Sequence, residues 1–405
     1  MAAVDPFSID LRSSTKKSNK EKSFVTSLKK ITLRKVLLKI HLYISLWLGV
    51  FLVLAGLTGS LLVYDHAIDK WLNNDLMVIK EASGTQKPLL DLIAAADEAS
   101  PIKSKASHLQ LPSELDEALI VRYQVPAEEG HKGHNHHFYE VMMNPYTGAT
   151  LGSRDRYYSL MSTILKLHFN LLANDTGKWI MGITALMTLF LTITGIYLWW
   201  PKLSKLKQAL VIKKNASFIR FNFDLHKTVG FYTAIVIFSV ALSGVYFNLP
   251  MIFRPVVNYF SPLDGMIAPV KSETFAGNPI KPEDVLTIAQ QQFPGISVQR
   301  IFLPATNDAT YQISGRQDNE IRHKGSTMLW IDQYSGKVLK VKDPNKFTAG
   351  NTFINLQLPL HNGEILGEIG RVLVVIVGFA PLVLMITGVI HWLKKKRPSR
   401  AIKPV

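Results

Sequence analysis

Apolar residues in this chain gather into four long runs. They cover about residues 37–63, 178–200, 228–250 and 368–392. Each run is long enough to cross a bilayer as a helix, which takes roughly 20 residues. The first three contain no acidic residue. Two long mixed segments, about 66–167 and 251–360, separate the runs. Each contains apolar stretches that end in a turn, Tyr146-Thr147-Gly148 in one and Tyr334-Ser335-Gly336 in the other. That pattern predicts a strand, a tight turn and a further short strand. Upstream, residues 89–99 and 282–293 read as short helices. A small α+β domain is therefore expected in each loop.

The divisions follow. Residues 1–35 read as a basic, disordered tail, 36–65 as a first span and 66–167 as a first external domain. Residues 168–200 form an interfacial turn and second span, 201–225 a basic loop, and 226–250 a third span. Residues 251–360 make a second external domain, 361–393 an interfacial turn and fourth span, and 394–405 a basic tail. No central break is expected in any span.

Histidines mark the runs in duplicate. His41 stands 18 residues before Gly59, and His226 stands 18 residues before Gly244. A second pattern follows each of these. In one copy it runs His168, Gly177, Thr194-Gly195, Trp199; in the other, His361, Gly370, Thr387-Gly388, Trp392. The intervals of 9, 18 and 4 residues are the same in both copies. The chain is thus two parallel repeats, each of span, external domain and span, with a pseudo-two-fold axis expected along the membrane normal.

Depth follows from a rise of about 1.5 Å per residue. His41 and His226 fall at one end of their spans, and Gly59 and Gly244 at the other. Spans two and four run the opposite way, so Gly195 and Gly388 return to the depth of His41 and His226. One continuous helix from His168 to Gly195 would be about 40 Å long, more than the apolar core. His168 and His361 are therefore placed on short interfacial helices or turns. A lone helix-end histidine is explained by a local hydrogen bond. Four in duplicated register point to a paired-ligand cofactor site, with glycines allowing close approach.

Charge orients the chain. The formal net charge is +16 and the mean hydropathy +0.14. The basic residues cluster in the N-terminal tail, in the loop from Lys202 to Arg220, and in the C-terminal tail from Lys394. All three lie on one side of a four-span protein, expected to be the cytoplasm. Both long loops then lie outside, and the first run reads as a signal anchor. The charge is explained by membrane lipid, and no nucleic-acid partner is expected. There is no cysteine, which excludes disulfides, iron–sulfur clusters and thiolate or covalently attached haem. Any haem would be held non-covalently, with histidine the expected ligand. No dinucleotide or nucleotide fingerprint is present, so electrons would come from a quinol or a separate reductase.

Further candidates are not duplicated or are less pointed. His66 and His391 lie near the same depths as the repeated histidines, at positions matched by Met251 and Leu198 in the other half. Lys178 and Arg371 directly follow Gly177 and Gly370 and could pair with haem propionates; interfacial anchoring explains them equally. His131, His134, His136 and His137 form a histidine-rich tract that could bind a metal or be a solvated loop.

Taken together, these motifs resemble the PepSY-associated transmembrane family, whose members are described as iron-regulated membrane proteins. The resemblance runs over about residues 35–397. It implies four spans, periplasmic PepSY-like domains and two b-type haems in a bacterial inner membrane. By motif, His41, His226, His168 and His361 become the haem ligands, and Gly59, Gly244, Gly195 and Gly388 the close-packing positions. The implied activity is reduction of a ferric siderophore. Three rival readings are a copper reductase, a non-enzymatic protein that restrains peptidases or senses envelope conditions, and a transporter.

Overall fold

The computed structural model describes residues 32–80, 82–126, 137–265, 269–273 and 277–396. The tails expected at 1–35 and 394–405 lie almost wholly outside these residues.

Four segments are long and apolar enough to cross a membrane, which makes this a membrane protein. They are α1 (Leu33–Leu62), α5 (Asn174–Trp199), α6 (Phe218–Asn248) and Glu364–Lys394. Trp47, Ile235 and Ile369 stand exposed on their surfaces, a costly arrangement in water and a favourable one in lipid. The helices between them, in chain order, are α2 (Asp65–Leu72), α3 (Leu89–Ala99) and α4 (Leu160–Asn170) before α5. After α6 come α7 (Pro250–Phe260), α8 (Pro282–Gln292) and α9 (Gln357–Asn362).

The fourth segment is not one helix. It is α10 (Gly367–Gly378) followed by α11 (Ala380–Lys396), broken at Phe379. This departs from the unbroken span that the sequence pattern predicts. Pro381 has no N–H to offer the Val377 carbonyl, so the helical ladder cannot continue through it. The Ser60 hydroxyl of α1 stands between the two helices, 2.9 Å from the Gly56 carbonyl and 3.0 Å from that of Val375. The break sits where Gly56 and Gly378 press together. A Cβ on Gly56 would collide with the Gly378 carbonyl, and one on Gly378 with the Ser60 hydroxyl. Glycine pairs of this kind let membrane helices approach without side chains between them.

The histidines at 168 and 361 sit on α4 and α9, ahead of the spans. After α4 the chain reverses through Leu171 and Leu172, both left-handed at φ 55° and 58°. The reversal packs back on the next helix at Gly177, where a Cβ would strike the Asn170 carbonyl. The second copy turns at Gly363 and packs on Gly370 in the same way. The constant interval of nine residues from histidine to glycine is the length of this turn.

Each loop supplies a helix and four contiguous strands, and the two sets join edge to edge. Their eight strands form one antiparallel sheet in the order β4-β3-β2-β1-β5-β6-β7-β8. The first loop supplies β1 (Ala106–Gln110), β2 (Leu119–Gln124), β3 (Phe138–Met143) and β4 (Thr150–Asp155). The second supplies β5 (Ser297–Phe302), β6 (Thr310–Arg316), β7 (Thr327–Asp332) and β8 (Val338–Lys342). The halves join where His108, Leu109 and Gln110 pair with Phe302, Ile301 and Arg300. Joining covers what would otherwise be two open edges. Helices α3 and α8 lie on one face of the sheet. Leu92 and Ala96, with Val285 and Ala289, pack there on Leu109, Val121, Ile301 and Ile313. The alternate residues of each strand face the helical bundle.

The glycine contact between α1 and α10 generates a prediction. Gly56→Val overpacks it and should cost about 1–3 kcal/mol, seen as a lower midpoint of thermal unfolding in detergent. An unchanged midpoint would show that the two helices can separate at no cost.

Candidate functional site

One cavity of about 1550 Å³ runs through the bundle to the sheet. It exceeds the roughly 300–1,000 Å³ usual for one small-molecule site. His41 and His226 line it at one end. His168, His361 and the sheet residues line it at the other. The ends are set by α1, on which His41 and Thr58 stand about 25 Å apart at helical rise.

All four histidines are held in the same way. Nδ1 of His41 lies 2.9 Å from Thr194 Oγ1, and that of His226 lies 2.8 Å from Thr387 Oγ1. Nδ1 of His168 lies 3.0 Å from Thr58 Oγ1, and that of His361 lies 2.8 Å from Ser243 Oγ. Each hydroxyl belongs to a facing helix and immediately precedes one of the glycines of the repeated pattern.

A hydroxyl has one proton to donate, and each of these four has a carbonyl of its own helix within reach to receive it. Thr58 donates to the Leu54 carbonyl at 2.6 Å and Thr194 to that of Phe190 at 2.8 Å. Ser243 donates to Ser239 at 2.9 Å and Thr387 to Val383 at 2.7 Å. Each oxygen is then left as an acceptor, so the histidine must be the donor. That places the proton on Nδ1 and leaves Nε2 with a bare lone pair. His361 Nδ1 also lies 3.2 Å from the Val240 carbonyl, which can only accept. A neutral imidazole fixed through Nδ1–H with Nε2 free is the form that binds a metal.

The glycines provide the room. A Cβ on Gly59 would stand 3.0 Å from His168 Cε1, one on Gly195 3.4 Å from His41 Cε1, and one on Gly388 3.8 Å from His226 Cε1. Gly244 differs, for it faces the Ala185 methyl at 3.2 Å. At the sheet end the rings of His168 and His361 have centroids 6.0 Å apart and planes at 74°. A metal bonded at about 2 Å to one nitrogen of each ring would hold the centroids no more than about 6 Å apart, so the two rings are near enough to share one.

Of the other sequence candidates, His66, His391 and Arg371 also line the cavity. His66 Nε2 lies 2.9 Å from Glu117 Oε1. His391 lines the end of the cavity near His41 and His226, with Phe223 6.0 Å away between centroids. Lys178 Nζ lies 5.7 Å from the Phe169 ring centroid. Arg371 donates to Glu368 at 2.9 Å and to the Val63 carbonyl at 2.8 Å, and covers the Tyr64 ring. His137 Nε2 lies 2.7 Å from an Asp155 oxygen; His131, His134 and His136 lie outside the described residues. Among the described residues, no group of three or more His, Asp or Glu side chains could hold a metal ion.

Two networks stiffen the sheet end. Glu140, fully buried, accepts from Arg122 at 2.8 Å and Arg154 at 2.9 Å. Arg154 also forks onto Asp69 at 2.8 and 2.6 Å. His108 stacks on Phe302 between these groups, and burial together with the charges on Arg122 and Arg300 lowers its pKa to about 3. It is neutral at physiological pH.

A family model for the PepSY-associated TM region matches residues 38–395. The chain belongs to this family. The match takes in all four spans and the whole sheet, so the histidine sites and the outer strands are parts of one family architecture. No curated protein matches the chain.

Sequence reasoning missed Thr58, Thr194, Ser243 and Thr387 as parts of the site. Their signal was available, since each stands directly before a repeated glycine.

A pH prediction follows from Glu117. Burial opposes its charge, but bonds from His66 and the Ser113 N–H, with the charge on Lys70, lower its pKa to about 2. The stability this gives is complete above the unfolded glutamate value of about 4.3 and is lost as pH falls through about 2. In Glu117→Gln, acid unfolding followed by tryptophan fluorescence should be less steep across that window. An identical acid profile would remove Glu117 from the network.

Proposed function

We propose that this family member is an inner-membrane reductase that holds two b-type haems and passes electrons to a chelated ferric ion outside the cytoplasm. The observation that carries the reading is the set of four histidines, each with Nδ1–H tied to a hydroxyl and Nε2 left bare, two at each end of one cavity. His41 and His226 would hold one haem, and His168 and His361 the other. Bis-imidazole haem supplies one-electron transfer with no open iron position.

The chain's own residues do the rest. Thr58, Thr194, Ser243 and Thr387 hold the ligand protons on Nδ1 and fix the ring planes. Gly59, Gly195 and Gly388 leave space beside three of the rings. The surrounding apolar helices exclude water from the cavity walls. The basic loop and tails orient the bundle, which would put the sheet and the His168–His361 pair on the periplasmic side. The two halves of span, sheet half and span would be parallel repeats about an axis along the membrane normal. The reaction is one-electron reduction of chelated Fe(III) to the weakly held Fe(II), releasing the ion. Its electron comes from a quinol or a separate cytoplasmic reductase, and a ferric siderophore is the substrate class that the family resemblance favours.

Purified protein should be red and give two haems per chain by pyridine haemochrome. His41→Ala and His168→Ala should each lose one. A colourless protein, or two haems retained in both variants, would contradict the reading. Thr194→Val removes the acceptor for His41 Nδ1–H, and loss of such a partner typically weakens metal binding about 10–100-fold. Haem dissociation to an excess of apomyoglobin should accelerate for one haem and not the other.

A further inference from the structure

The sheet face turned toward the bundle carries two rows of side chains that cross the strands. One row is Arg154, Glu140, Arg122 and His108, on β4, β3, β2 and β1. The other is Gln110, Arg300, Ser314, Met328 and Lys342, on β1, β5, β6, β7 and β8. The first row carries a compensating carboxylate of its own. Glu140 meets Arg122 and Arg154, with Arg156 at 3.4 Å.

The second row lacks that compensation. Aligning the turns Tyr146-Thr147-Gly148 and Tyr334-Ser335-Gly336 sets Met328 at the position of Glu140, and Lys342 at that of Arg154. The second half has kept the cation and put a thioether in place of the carboxylate. Among the described residues, the side chains of Arg300, Lys324 and Lys342 form no ion pair or hydrogen bond. Arg322 has only the Asn355 amide oxygen, at 3.2 Å. All four line the cavity beside His168 and His361. Burial, then the charges of Arg156 and Arg322, depresses the pKa of Arg300; burial, then Arg300, Arg156 and Arg122, does the same for Lys324 against the pull of Asp65.

Carboxylates reach these cations unequally: Glu364 and Glu320 attract Arg322, and Asp264 and Glu320 attract Lys342, whereas Lys324 feels Asp65 alone and Arg300 feels none. Glu114 and Glu117 are tied to Lys70. Glu364 also accepts the His323 N–H at 3.1 Å. The loop that presents Arg322 and Lys324 is itself held in place. Glu320 accepts from Gln317 N at 3.0 Å, from Thr327 Oγ1 at 2.5 Å and from the Ser326 N–H. The cations are thus preorganised, partly desolvated and mutually repelling, an arrangement that an incoming anion relieves.

We propose that this chamber binds a polyanionic metal chelate, whose carboxylate or catecholate oxygens take the place that Glu140 fills in the first half and meet Arg300, Arg322, Lys324 and Lys342. This rests on the reductase reading for the identity of the metal and narrows its substrates to anionic chelates. The propionates of a haem held by His168 and His361 offer the same oxygen chemistry, so the test separates the two sources.

The full chain in neutral detergent is titrated by calorimetry with gallium(III) tris(catecholate), a redox-inert trianion, and with neutral gallium(III) tris(acetohydroxamate). The trianion should bind about tenfold more tightly or better, with the advantage shrinking as salt rises. Met328→Glu, which restores the missing carboxylate, and Arg300→Gln, which removes a cation without adding charge, should each cut trianion affinity about tenfold with haem content unchanged. Equal binding of the two chelates overturns the proposal. So do variants that lose haem while keeping their chelate affinity, since the cations would then serve the propionates. A colourless protein that still prefers the trianion would sink the reductase reading and leave the chamber standing.

Discussion

A threonine or serine hydroxyl carries one proton, and in this protein four of them give it to the carbonyl one helical turn back. Everything at the proposed cofactor sites depends on that. With its proton committed, each oxygen can only accept, so the facing histidine must donate from Nδ1. Ring tautomer, ring orientation and the direction of the free Nε2 all follow from one bond. The helix that supplies the hydroxyl also supplies the glycine next to it. Support and clearance therefore come as a pair of adjacent residues, and a small shift of the helix moves both together.

The same economy governs the larger architecture. Each turn after a histidine helix closes on a glycine nine residues on, which sets the depth of that histidine against the next span. The two outer halves share one sheet, so the chamber above the His168–His361 pair has a continuous roof. The break at Phe379 and the contact of Gly56 with Gly378 bring the first and fourth spans close along the cavity wall. The halves then differ where chemistry differs. Glu140 gives the first a carboxylate among its arginines, and Met328 puts a thioether at the matching position of the second.

Much of this was legible from the residues. Long apolar runs without acid groups can satisfy their backbone in lipid only as helices, and the turn-forming Asn174-Asp175-Thr176-Gly177 stands between His168 and the second run. Other features were not. Thr58 and Ser243 look like ordinary small residues in a membrane helix until a histidine 110 or 118 positions away is seen to face them. The pairing of His108 with Phe302 joins loops that share no local signal. Pro381 was visible in the middle of the fourth run, but a proline inside a span does not reveal whether neighbouring carbonyls will find a partner such as Ser60. The loss of a carboxylate at Met328 means nothing until the strand register sets it opposite Lys342.

The most direct test of the central claim is electron paramagnetic resonance of the oxidised, purified protein. Paired imidazoles on each iron impose a strong ligand field, so the account predicts two low-spin ferric haem signals, one abolished in His41→Ala and the other in His168→Ala. A high-spin ferric signal in the unmutated protein, or no haem signal at all, would contradict it.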